Sequence, residues 1–302
     1  MATYQTAKTQ YLISSASPDT TFAYLQLGPS SSSNPPLIYL THFRSNIDKI
    51  DPLLLNSLAR NRPLVVFDYV GHGNSTGKPA TTAAESAAYL GSFLSQIGLK
   101  EVDVLGFSMG GFVAQMLALN ADPKVLKVRK VILAGTTASA GPNLVPNPNR
   151  DEMYSVAGRP DVTIDSFYTL FFHGNERGRK ACNDWWIRLQ ERNTNSTGKG
   201  VSDWESQGYK DGGVAIQAMS TILQNWLDPE KSTEGSYNRL GELKMPVLVA
   251  NGNDDFMVPT INSFWTVQRI LNGKLIVYPD SSHGFLYQYA EEFSHDVEAF
   301  LA

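Results

Sequence analysis

Short β-rich runs that are apolar almost throughout alternate along this chain with stretches of helical periodicity, and this rhythm limits the fold more than any other feature. The runs are Tyr11–Ser14, Phe22–Leu27, Leu37–Leu40, Leu64–Asp68, Val102–Gly106, Val128–Ala134, Val247–Ala250 and Leu275–Tyr278. A strand with one wet face alternates apolar and polar residues, whereas a strand without that alternation is covered on both faces. Between the runs, Asp51–Arg60 places Leu54, Leu55 and Leu58 on one helical face. Thr82–Ile97 does the same with Tyr89, Leu90, Phe93, Leu94 and Ile97. Further helices are expected around Ile261–Leu271 and Phe293–Leu301. The pattern predicts an α/β fold: a mostly parallel, twisted sheet of about eight strands with helices on both faces. The polar stretch Pro29 to Pro36, with four consecutive serines, reads as a loop because strands continue on both sides.

From about Gly141 to Tyr237 the rhythm stops. This stretch has no convincing strand and is dense in aromatic residues, among them Phe167, Tyr168, Phe171, Phe172, Trp185, Trp186, Trp204 and Trp226. A helical insertion between two sheet strands is the simplest account. The expected organisation is a core of residues 1–140 and 238–302 with a helical cap over 141–237. The aromatics either wall a ligand site or only glue the insertion to the core.

Composition excludes several classes. A formal net charge of −4 and only a short basic cluster at Arg177, Arg179 and Lys180 argue against a nucleic-acid partner. The single cysteine, Cys182, allows no intrachain disulfide, which fits a reducing compartment. The segment MATYQTAKTQ lacks the apolar core of a signal peptide, and no apolar run approaches the ~20 residues that span a bilayer. A cytoplasmic protein is expected, and the sequons at Asn74 and Asn195 carry little weight.

The most specific motif is Val102-Asp-Val-Leu-Gly-Phe-Ser-Met-Gly-Gly111. Gly-x-Ser-x-Gly alone is common, but here a strand precedes it and the apolar run Phe112–Leu119 follows. A turn this tight forces Ser108 into a strained backbone conformation, and Gly106 and Gly110 let strand and helix approach. The backbone N–H of Met109, at the start of the helix, then points at a developing oxyanion.

A serine hydroxyl needs a base to take its proton. Of the five histidines, His283 follows the last strand, in a loop where sheet-borne catalytic residues belong. His72, in a tight loop near the same sheet edge, is the alternative, and His295 falls in an amphipathic helix. The group that orients the histidine is Asp254 or Asp255, both directly after the strand Val247–Ala250. Either could instead cap the helix that begins near Pro259.

The order Ser108, Asp, His283 resembles the α/β-hydrolase superfamily, and the likeness runs across nearly the whole chain. Leu40–Asp48, Phe67–Ser75, the elbow, Gly252–Pro259 and Tyr278–Tyr289 each match a family block. The chain is most similar to the haloperoxidase-like, metal-free hydrolases with a helical cap. Their spacing after Gly252 selects Asp255 as the acid. The family's first oxyanion loop reads His-Gly, and here His42-Phe43 stands there. The resemblance implies that Phe43 N–H joins Met109 N–H as oxyanion donor, that the Phe43 side chain lines the pocket, and that His42 braces the loop. Ser108 argues against the superfamily members that use an aspartate nucleophile.

The expected activity is therefore hydrolysis of a hydrophobic carboxylic ester, lactone or thioester through an acyl-enzyme. No metal or organic cofactor is implied, because no ligand cluster has zinc-like spacing. The expected substrate-binding wall comprises Phe171, Phe172, Trp185, Trp186 and Phe285, with Tyr287 beside it. The same triad could act on a carbon–carbon bond of a diketone. A lyase, or a ligand-binding protein that keeps the triad, would share these residues.

Overall fold

The computed structural model describes residues 2–232 and 235–302. Thr233 and Glu234, inside the expected insertion, lie outside the described residues. Eight strands form one sheet: β1 Gln10–Ile13, β2 Thr21–Leu27, β3 Leu37–Leu40, β4 Leu64–Phe67, β5 Glu101–Phe107, β6 Lys127–Ala134, β7 Val247–Gly252 and β8 Gly273–Tyr278. Their spatial order is β1-β2-β4-β3-β5-β6-β7-β8. The β1–β2 and β2–β4 pairs are antiparallel, and every pair from β4–β3 to β7–β8 is parallel.

Strand alternation sends successive side chains to opposite faces, which explains the unbroken apolar runs. In β3, Leu37 and Tyr39 join one buried cluster while Ile38 and Leu40 join the other. The first cluster is covered by α1 (Pro52–Leu58) and α11 (Ala290–Leu301), through Leu54, Leu55, Leu58, Phe293, Val297 and Leu301. The second is covered by α2 (Ala83–Gln96) and α3 (Met109–Asn120), through Leu90, Phe93, Leu94, Phe112, Val113 and Leu117. Each such side chain contributes about 1.5–3 kcal/mol on burial. Helix α2 starts where Thr82 accepts from Glu85 N–H, a capping bond that stops competing backbone geometries.

Between β6 and β7 the described chain forms α4 (Arg150–Ala157), α5 (Ile164–Leu170), α6 (Glu176–Arg188), α7 (Thr194–Thr197) and α8 (Val214–Leu227), with no strand among the described residues. Its apolar side chains feed both clusters: Phe167, Phe171 and Trp185 extend the first, Met219, Ile222 and Trp226 the second. The chain returns through α9 (Thr260–Gln268) and the short α10 (Phe285–Gln288). Among the described residues no helix is long and apolar enough to cross a membrane.

The strand order fixes where a site can form. The chain leaves β3 for β4 on one side and later places β5 on the other side of β3. At such a reversal the loops after the two strands diverge and open a crevice at the carboxyl edge of the sheet. The loop after β3 carries His42, Phe43 and Arg44, and the turn after β5 carries Ser108.

Candidate active site

Ser108 joins β5 to α3 with φ 55° and ψ −119°. A non-glycine residue at positive φ is strained and persists only where its surroundings over-determine it. The surroundings here do so. Ser108 N–H donates to Ala134 O at 2.9 Å, and Ser108 O accepts from Thr136 Oγ1 at 2.8 Å and from Gly111 N–H at 2.9 Å. The turn also depends on two bare Cα positions. A Cβ on Gly106 would lie 2.3 Å from Gly110 O, and one on Gly110 would lie 2.3 Å from Leu40 O.

His283 follows β8 and is fully buried. Its Nδ1 lies 2.8 Å from Asp255 Oδ2. The other oxygen, Asp255 Oδ1, accepts from Met257 N–H and Val258 N–H, each at 2.8 Å. Facing a carboxylate oxygen, which accepts, Nδ1 is the ring nitrogen placed to donate. His283 Nε2 is buried and has no hydrogen-bond partner among the described residues. The ring packs at 5.0 Å from that of Phe107, the residue before Ser108, and at 5.1 Å from Phe171. Asp254, by contrast, has a side chain 79% exposed, with His173 Nδ1 3.8 Å from its Oδ2.

The other histidines occupy different surroundings. His72 is buried with Nδ1 3.0 Å from Val70 O and Nε2 3.4 Å from Ala215 O, so both ring nitrogens face backbone carbonyls. His295 is exposed on α11. His42 has Nδ1 2.8 Å from Phe43 O, and its ring sits among those of Phe107, Phe171, Trp204 and Tyr287. Burial pushes its pKa down to about 3, so His42 is neutral and braces the loop that carries Phe43.

A cavity of about 40 Å³ opens onto Ser108. By the measure in which one water takes ~10–15 Å³, it has room for about three. The loop after β3 contributes His42, Phe43 and Arg44 to its wall, and the segment after β7 contributes Met257. Met109 is buried at the first position of α3, where an N–H has no partner within the helix. Phe43 N–H makes no hydrogen bond to the described residues.

Of the five side chains expected to bind substrate, Phe171 reaches this cavity. The structure does not bring the other four to it. Trp185 is fully buried, its ring 4.7 Å from Phe167 and 5.1 Å from Tyr287. Phe172 packs on Trp185 at 5.7 Å, and half-buried Trp186 lies 6.0 Å from it. Phe285 stacks on Tyr278 at 5.2 Å and meets Phe293 at 5.6 Å. These four fill the layer behind the cavity, because the α6 face that carries Trp185 and Trp186, the turn after α5 that carries Phe172 and the α10 turn that carries Phe285 point into the first cluster. Besides Phe171 and the His42 and Phe43 rings of the loop after β3, the aromatic surface comes from Phe167 and Trp204, which the sequence marks only as aromatic residues of the insertion. Among the described residues no group of three or more His, Cys, Asp and Glu side chains could hold a metal ion.

Comparison with known proteins agrees with this architecture. The chain is similar to an alpha/beta hydrolase fold protein from Chitinophaga pinensis, with 31% identity, 99% of each chain covered and a TM-score of 0.83. It is 23% identical to a non-heme haloperoxidase from Rhodococcus erythropolis over 89% of this chain and 93% of that protein. It is 26% identical to a bifunctional esterase/perhydrolase from Acinetobacter calcoaceticus over 92% and 95%. A further match is confined to 82 residues. It covers 22% of the dihydrolipoyllysine-residue acetyltransferase component of the acetoin cleaving system from Cupriavidus necator. The profile of the alpha/beta hydrolase fold family matches residues 35–288, and the chain belongs to that family.

Proposed function

We propose that this protein is a serine hydrolase acting on a hydrophobic carboxylic ester, lactone or thioester, with Ser108 as nucleophile, His283 as base and Asp255 as orienting acid. The observation that carries the reading is the Asp255–His283 pair, bonded at 2.8 Å through Nδ1 with Nε2 left bare. The imidazole packs on Phe107, the residue before the strained Ser108, and its bare, buried nitrogen is suited to taking a proton.

In this reading Ser108 Oγ attacks the carbonyl carbon while its proton passes to His283 Nε2. Asp255 stays ionised and stabilises the imidazolium. The N–H groups of Phe43 and Met109 receive the oxyanion, because neither is committed elsewhere. Collapse of the intermediate breaks the bond to the leaving group, which leaves with the proton from His283. Water then repeats the sequence on the acyl-enzyme and restores Ser108.

The helical segment 141–237 acts as a cap, with Phe167, Phe171 and Trp204 as its contribution to the acyl pocket. An apolar cavity of about 40 Å³ favours a short acyl group. The single, buried Cys182 suits a reducing, cytoplasmic setting.

A fluorophosphonate probe tests the nucleophile directly. The wild-type protein should gain one adduct at Ser108, read by intact mass and peptide mapping, and Ser108→Ala should gain none. An adduct that persists in the alanine variant would move the nucleophile to another residue.

A further inference from the structure

Arg44 directly follows Phe43 and is a buried cation whose bonds all leave its own loop. Its five guanidinium N–H groups are all used, and all go to backbone carbonyls. Nε donates to Glu205 O at 2.8 Å, Nη1 to Ala157 O at 3.2 Å and Arg159 O at 2.5 Å, and Nη2 to Pro160 O and Ser206 O, both at 3.1 Å. The acceptors belong to two separate segments between β6 and β7: the end of α4 with the turn after it, and residues 205–206. The contact is reciprocal, since Glu205 N–H donates back to Arg44 O at 3.0 Å. Asn46, two residues further along the same loop, donates to Asp203 O at 2.6 Å and Glu205 Oε1 at 3.1 Å.

Arg44 adopts φ 63°, a conformation rare for a side chain of this size. Such a backbone persists where outside contacts hold it, and the outside contacts here are those of the insertion. The register of the contact matters as well. Phe43 and Trp204 both line the cavity, and the next residue of each, Arg44 and Glu205, makes the reciprocal bonds. The wall of the acyl pocket and the peptide that carries the Phe43 N–H are therefore joined one residue apart.

From this juxtaposition we infer that Arg44 is a positioning residue, which fixes the Phe43 N–H toward the oxyanion only while the α4–α5 turn and residues 203–206 are docked over Ser108. The inference rests on the hydrolase reading above. It adds that cap docking and oxyanion stabilisation are one event. An acyl group that displaces Trp204 pulls on Glu205, then on Arg44, and withdraws the Phe43 N–H. Selection against bulky acyl groups then appears in kcat and not only in binding.

The test uses Arg44→Met and Arg44→Lys, with active sites counted by fluorophosphonate titration and turnover of p-nitrophenyl acetate expressed per titrated site. For Arg44→Met, kcat should fall by at least ~10-fold, short of the 10²–10³ lost when an oxyanion donor is removed outright, while KM changes little. Inhibition by a trifluoromethyl ketone, whose adduct carries an oxyanion, should weaken by the same factor. Arg44→Lys keeps the charge with fewer donors and should fall between, and it carries the test if Arg44→Met does not fold. A variant whose kcat per site and trifluoromethyl ketone affinity match wild type, with only a lower Tm, overturns the inference. Hydrogen exchange of the wild-type protein reads the coupling without turnover. Peptides covering 41–47 and 200–208 should open with one common protection, and clearly different protections overturn the coupling. Failure of wild-type Ser108 to label sinks the hydrolase reading and leaves the exchange result standing by itself.

Discussion

Asp254 and Asp255 are consecutive in the chain and stand in opposite surroundings, one 79% exposed and the other buried against His283. A loop that leaves a strand end turns neighbouring side chains to different sides, so composition cannot tell the two apart. The distance to Pro259 in the matching family block is what singles out Asp255 in the sequence. The consequence is kinetic. Asp255→Asn should lower turnover by on the order of 10⁴-fold, the loss seen when a triad carboxylate is removed with its geometry kept. Asp254→Asn should leave turnover within about twofold. Comparable losses in the two variants, measured at saturating substrate, would overturn the assignment. Ser108 was legible for a different reason. Its glycines at 106 and 110 are demanded because a Cβ on either would lie 2.3 Å from a backbone oxygen, and such demands leave a mark in sequence. Arg44 leaves no comparable mark, because its acceptors are carbonyls, which every residue carries.

At the scale of elements, the aromatic residues of the insertion separate into two populations that their sequence does not distinguish. Phe171 and Phe172 are adjacent just past the end of α5, as are Trp185 and Trp186 on α6, and successive side chains face different directions. Which direction meets the cavity depends on how α5 and α6 sit on the sheet, and helical periodicity carries no information about that. Trp204 lies in a stretch without periodicity at all, so only the fold could place it beside Ser108. The two populations should respond differently to replacement. Phe171→Leu and Trp204→Leu should change the ratio of kcat/KM for butyrate and acetate esters by about threefold or more, since a methylene in an apolar pocket is worth ~1–3 kcal/mol. Trp185→Leu should leave that ratio alone and lower stability, by less than the ~3–5 kcal/mol of full truncation to alanine. Equal ratios across the three variants would show that the cavity wall does not select the acyl group.

For the whole molecule, the parallel core was legible because strands buried on both faces must be apolar throughout. The reversed direction of β2 was not, since hydrophobicity carries no record of strand polarity. Stability as a function of pH is a further whole-molecule property with a local origin. Burial raises the Glu205 carboxyl to about 7, with Asp211 adding to the rise and the bonds from Asn46 and Gly73 and the nearby Arg44 charge opposing it. Below about 4.5 both folded and unfolded chains hold this proton. Between about 4.5 and 7 the unfolded chain loses it first, so this group's contribution to stability falls as pH rises and stays low above 7. Glu205→Gln, which keeps the shape of the protonated form, should gain stability over wild type between pH 5 and pH 8. Urea unfolding at the two values measures it, and a difference that does not move with pH would reject the account. The insertion leaves from the end of β6 and returns to the start of β7, its immediate neighbour in the sheet. A segment entered and left between adjacent strands can be exchanged for another without disturbing strand order, much as a tool head is changed on a fixed shaft. In this chain the exchange has a condition. Any replacement must offer carbonyls to Arg44 or arrive with a different residue at position 44, so under the proposed function a change of cap is also a change beneath it, in the loop that carries Phe43.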